Sequence, residues 1–167
     1  MSINIILVIL CLIAAVYDVR WRRIPNLLVL AGIIIGLFYH GLQGGGLLWL
    51  SLQGMGLGIA LLLIPFILGG MGAGDVKLLG MIGAIMGPVF VVNTFLWSAL
   101  WGGGMALVYL ALDGRLWLMV VQVVGNYYPP IFTKVSPLNK PLHHKVMMPY
   151  GLAICLGALS SIFWVWW

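Results

Sequence analysis

The stretch INIILVILCLIAAVYDVRWRRIPN, residues 3–26, decides how this chain is to be read. Residues 3–19 form a nearly unbroken apolar run, closed by Asp18 and followed at once by Arg20, Arg22 and Arg23. A helix that crosses a bilayer needs about 20 such residues, and fewer where the bilayer thins or protein surrounds the helix. No basic region precedes the run and no small-residue cleavage site follows it. It therefore reads as a retained helix and not as a removable signal peptide.

The pattern recurs on moving outward. A second run, 27–42, is entered through Pro25, a residue suited to a helix's first turn. Gly41 and Gly44 to Gly46 mark the turn after it, and a third run spans 47–68, with Pro65 expected to kink it near its end. Next comes Gly69-Gly70-Met71-Gly72-Ala73-Gly74-Asp75, whose glycines leave the backbone closely approachable. Residues 76–112 are too long for one span, and Gly87-Pro88 splits them into a short helix, 76–86, and a longer one, 89–112. The short helix rises only about 17 Å, so it must lie within the bundle and not face lipid over a full width. A more polar segment runs to Lys145, with an interfacial helix expected at 116–124, and residues 147–167 form the last span.

Composition agrees. Of the 167 residues 63% are hydrophobic and 7% charged, with mean hydropathy +1.17. Soluble domains carry about 25% charged residues, so a soluble enzyme, a disordered tail and a nucleic-acid-binding domain are excluded. The expected fold is all-α: a polytopic membrane protein, one domain over 1–167, built as a bundle of about six transmembrane helices. Small residues at three- and four-residue spacing (Gly54, Gly56, Gly58; Gly80, Gly83, Ala84, Gly87; Gly102 to Gly104) are expected to let the helices approach closely. Cys11 and Cys155 sit in apolar runs and read as small buried hydrophobes.

The net charge of +5 comes from eight Lys/Arg against three acids, Asp18, Asp75 and Asp113. If Arg20, Arg22 and Arg23 are cytoplasmic, alternate crossings also place Lys77, Arg115, Lys134, Lys140 and Lys145 on that side, leaving none on the outer turns. The spans were drawn from apolar runs alone, so this agreement is an independent indication of sidedness. Both termini are then outside, with Phe163, Trp164, Trp166 and Trp167 in an outer aromatic belt.

The same path puts Asp18, at the inner end of the first helix, and Asp75, at the inner start of the fourth, at one depth on one face. An ionisable residue near a span is a functional candidate by default. Two carboxyls at close range cannot both ionise easily, so they share a proton. One then takes a proton from water while the other donates to a carbonyl oxygen, the chemistry of aspartic proteases, without metal or cofactor. The plainer alternatives are that Asp75 caps its helix and that Asp18 is a solvated acid paired with Arg20, Arg22 or Lys77. The presence of both acids on one face, with a Gly-x-Gly turn before one of them, favours catalysis.

Three segments carry a family resemblance: Asp18-Val19-Arg20-Trp21-Arg22-Arg23-Ile24-Pro25-Asn26; Gly72-Ala73-Gly74-Asp75-Val76-Lys77-Leu78-Leu79, continuing to Gly87; and Pro149-Tyr150-Gly151-Leu152-Ala153. In this order they resemble the type IV prepilin peptidases, membrane aspartic proteases with a Gly-x-Gly-Asp motif. The resemblance implies that Asp18 and Asp75 are the catalytic pair, and that the chain cleaves the leader of pilin-like precursors at the cytoplasmic face of the inner membrane. Pilin precursors, the bilayer and pilus assembly machinery are the implied partners. The larger members carry a cytoplasmic insert with paired cysteines and N-methylate the new terminus. This chain has neither insert nor cysteine pairs, and is similar to the short, peptidase-only kind of tight-adherence (Flp) pilus systems. Archaeal preflagellin peptidases are close relatives with the same pair.

Gly72 and Gly74 are expected to support the site through their backbone, and Lys77 to support the anionic pair, meet lipid headgroups, or simply snorkel. Pro149, Tyr150 and Gly151 are a candidate border of the substrate groove. Asp113 is expected in a surface turn, and adjacent His143 and His144 lack the neighbours a metal site needs. Rival functions are a small proton- or cation-coupled transporter or channel subunit, an inert scaffold, and a presenilin-like protease that uses Tyr17-Asp18. The first predicts acids near the midplane, the second tolerance of neutral substitutions at both acids, the third acids deeper inside their helices.

Overall fold

A computed structural model describes residues 3–112 and 150–165. The interfacial helix expected at 116–124, Asp113, Arg115, Lys134, Lys140, His143, His144, Lys145, Pro149, Trp166 and Trp167 lie outside them. The described residues form six helices and no strand: α1 (Ile3–Trp21), α2 (Asn26–Gln43), α3 (Gly45–Ile67), α4 (Ala73–Met86), α5 (Pro88–Leu112) and α6 (Tyr150–Val165). Four of them, α1, α2, α3 and α5, are long and apolar enough to cross a membrane. The chain divides into two compact units. The first holds residues 1–102 and 149–167, and the second, 103–148, contributes only the end of α5 to the described residues.

Helix limits follow local chemistry. Pro25 stands as the N-cap of α2, one residue outside the first turn expected of it, and its carbonyl accepts from the Leu28 and Val29 N–H groups. Pro65 lies in the last turn of α3, where the Gly70 N–H donates to its carbonyl and ends the helix. Gly87, at φ +86, closes α4 with its N–H on the Gly83 carbonyl, a backbone conformation that favours glycine, and Pro88 opens α5.

The first unit is organised around α4. Ten of its fourteen residues are buried, among them Leu78, Leu79, Met81, Ile82 and Ile85, so the short helix lies inside as its length requires. It packs on α2 and α3 and also meets α1 and α6. Glycines permit these approaches. A Cβ on Gly36 would stand 2.6 Å from the Ala84 carbonyl oxygen, one on Gly58 2.6 Å from that of Leu79, and Gly54 and Gly83 press backbone on backbone. Among the described residues a Cβ on Gly56, Gly103 or Gly104 would meet nothing within 4 Å, so no close contact is seen at these three there.

The C-terminal end of α4 is held by side chains. Its last carbonyls have no partner within the helix. Ser51 on α3 donates to the Ala84 carbonyl, and the His40 ring on α2 hydrogen-bonds that of Ile85 at 2.9 Å. Between α5 and α6, Gly157 packs on the backbone of Thr94 and Ser98, and Thr94 donates to Ser161. Cys155 donates to the Cys11 carbonyl, which fits the expected role of both cysteines as small buried groups.

Candidate active site

Asp18 occupies the last turn of α1. Four residues on, Arg22 takes a left-handed conformation, φ +53, and its N–H donates to the Asp18 carbonyl at 2.8 Å. That turn ends the helix and sends the chain back through Ile24 and Pro25 into α2. Asp75 sits three residues past Gly72, the N-cap of α4, and its Oδ2 accepts the Gly72 N–H at 3.2 Å. The capping alternative is therefore real for Asp75. It also fixes the carboxyl's direction, which is what a reacting group requires.

The two acids converge. Both are buried, with 6% and 8% exposure for Asp18 and Asp75, and Asp75 senses the charge of Asp18. Burial is the main cause that lifts Asp75 from its ordinary 3.8 to about 6; the Gly72 N–H opposes the rise and the Asp18 charge adds to it. Asp75 so placed keeps its proton up to about pH 6 beside the charge of Asp18, so below that value the arrangement can hold and exchange one proton.

Helix α6 supplies another wall. The N–H groups of Gly151 and Leu152, at its positive end, face the Asp18 carboxylate, while Oδ2 has no hydrogen-bond partner among the described residues. A Cβ on Gly151 would lie 2.7 Å from Asp18 Oδ2 and 3.1 Å from Ile24 Cδ1. On the other side, a Cβ on Gly74 would stand 3.4 Å from Ile24 Cβ. Ile24 thus rests on the two glycines that adjoin the acids. The ring of Tyr150 lies on Gly102, with its Cε2 2.6 Å from a Cβ built there.

The structure therefore brings Asp18, Asp75, Gly72, Gly74 and Gly151 together. Lys77 is exposed, and its Nζ donates to Asn26 Oδ1 at 3.1 Å, a link between α4 and α2 that sequence reasoning missed. The quoted Ile24-Pro25-Asn26 segment was its only signal.

The expected outcome for Gly151→Ala follows from this packing. The added methyl must displace the Asp18 carboxylate, and in the catalytic role proposed below a misplacement of about 1 Å there costs about a hundredfold in rate. Cleavage assays alongside a thermal melt should show lost activity with the fold retained.

A comparison with family models matches residues 5–107 to the type IV leader peptidase family. The chain belongs to the type IV leader peptidase family. The matched residues take in α1 to α4, with both acids, and most of α5. No curated protein and no solved structure matches the chain. Membership makes the protein a membrane peptidase, in agreement with its apolar helices. Leader peptidases of this family act on pilin precursors. Helix α6, which brings Gly151 to Asp18, lies beyond the matched residues.

Proposed function

We propose that this leader peptidase is an aspartic endopeptidase with Asp18 and Asp75 as its catalytic pair. It cleaves the leader of a type IV pilin-like precursor, of the Flp type, at the cytoplasmic face of the inner membrane and without N-methylation. The observation that carries the reading is the convergence of two buried carboxyls from separate helices beside backbone kept open by Gly72, Gly74 and Gly151. The charge pattern supports the cytoplasmic placement: all eight basic residues fall on the acid-bearing side when the runs are threaded alternately. A total of two cysteines, both buried, supports a form without the methylating insert.

In this mechanism the precursor's apolar helix lies in the bilayer beside the bundle and its extended leader crosses the acid pair. The ionised carboxylate takes a proton from water as the water oxygen attacks the scissile carbonyl carbon. The protonated partner donates to the carbonyl oxygen. Proton return to the amide nitrogen breaks the C–N bond and frees leader and mature chain. The transporter alternative fits less well, because both acids stand in the terminal turns of their helices and not at mid-span.

Co-expression with a pilin-like precursor tests the reading: the precursor should shorten on a gel with the wild-type chain. An unchanged precursor for every pilin-like sequence offered contradicts it.

The pH dependence is specified too. With Asp75 at about 6, the singly protonated pair persists up to that value and is lost above it. The turnover rate should fall toward a limit of about tenfold per pH unit on the alkaline side. A rate that climbs steadily through and beyond that value contradicts the shared proton.

A further inference from the structure

The link between Lys77 and Asn26 joins the two acid-bearing segments at a point neither acid touches. Lys77 follows Asp75 by two residues in the first turns of α4, while Asn26 opens α2 directly after the turn that leaves Asp18. Ile24, two residues before Asn26, lies against Gly74 beside Asp75 and against Gly151 beside Asp18. The tripeptide Ile24-Pro25-Asn26 is therefore fastened at one end by a hydrogen bond to α4 and wedged at the other between the backbones that carry the acids.

We infer that Lys77 is a positioning residue: by donating to Asn26 it clasps Ile24 onto Gly74 and Gly151 and so fixes the spacing of the two carboxyls. Pro25 makes the clasp stiff, because its ring fixes φ between the wedge and the hydrogen-bonded residue. Both Lys77 and Asn26 are exposed, so the bond holds a geometry and does not maintain the core. The inference rests on the proposed role of Asp18 and Asp75, and it differs from two simpler roles for Lys77. As a counter-charge, Lys77 would act on the acids directly and Asn26 would be dispensable. As a headgroup contact, it would leave turnover unchanged.

Kinetics on the full chain in lipid vesicles, with a purified pilin-like precursor, separate these. Lys77→Met and Asn26→Ala should each lower kcat about fivefold, the scale of one ordinary net hydrogen bond, with KM unchanged. Together they should cost no more than either alone, because they break one link. The pH limbs of kcat should stay in place in all three. Lys77→Arg and Asn26→Asp, which keep a donor facing an acceptor, should retain the wild-type rate. Losses that multiply in the double variant, an unchanged kcat, or a pH limb displaced by Lys77→Met alone would each overturn the clasp. Thermal melts report folding, and if Lys77→Met does not fold, Lys77→Leu, which also lacks a donor, and the two rebuilt pairs decide the matter by the same criteria. Asp18→Asn and Asp75→Asn run in parallel. Cleavage that persists there defeats the catalytic pair itself, whereas inactive aspartate variants beside an unaffected Lys77→Met remove only the clasp.

Discussion

Asp18→Asn and Asp75→Asn should each leave a pilin-like precursor uncleaved while the protein remains folded in the membrane. Asparagine keeps the shape of the carboxyl and takes away its proton exchange. General acid and general base contributions are typically about 10²–10⁴-fold each, and loss of one member disables both transfers because they share one proton. Stability should respond in the opposite sense at Asp75. Its folded value of about 6 lies above the ordinary 3.8, so the carboxyl favours the folded state at low pH. That contribution is lost as pH rises from the ordinary value through the folded one. Asp75→Asn has no such dependence, so its melting temperature should gain on the wild type across that interval. Substantial cleavage by either asparagine variant rejects the pair, and a melting difference that does not change with pH rejects the assignment of the raised carboxyl to Asp75.

Gly83→Ala should destabilise the helix bundle by about 3 kcal/mol, the upper part of what overpacking costs in a tight core. Gly83 and Gly54 meet backbone to backbone where α4 crosses α3, and a methyl on either occupies space already filled by the other's carbonyl. Neither helix can retreat freely, since α4 is also pressed by Gly36 of α2 through Ala84. Gly56→Ala is the control: it lies on α3 two residues from Gly54, adds the same methyl, and has no neighbour within 4 Å among the described residues. It should change stability by no more than about 0.5 kcal/mol. Reversible unfolding in mixed micelles measures both, and equal effects at 54, 56 and 83 would show that the α3–α4 approach is not the constraint.

The helices were legible because apolar run length is a local property. The five expected runs from 3–19 to 89–112 recur as α1 to α5 with ends moved by a few residues, and Tyr150–Val165 falls within the last expected span, 147–167, whose other residues lie outside those described. The acids stood out because a chain with three carboxylates cannot hide two of them. Orientation around each helix was not legible. A helix that is apolar on every side gives hydropathy nothing to sort, so Gly54 and Gly56 look alike although only the first meets α4. Gly151 against Asp18 and Lys77 against Asn26 were hidden for a related reason: each depends on which distant helix ends arrive at the same place.

The hold of Ser51 and His40 on the last carbonyls of α4 has a mechanical meaning. A short buried cylinder without its own lipid-facing length has no interfacial anchors to set its height. Here the height is set from the far end, about 15 Å along the helix from the carboxyl it presents. The protein thus hangs the acid proposed to react like a weight on a plumb line, and the knot that fixes the line is tied at the other end of the helix.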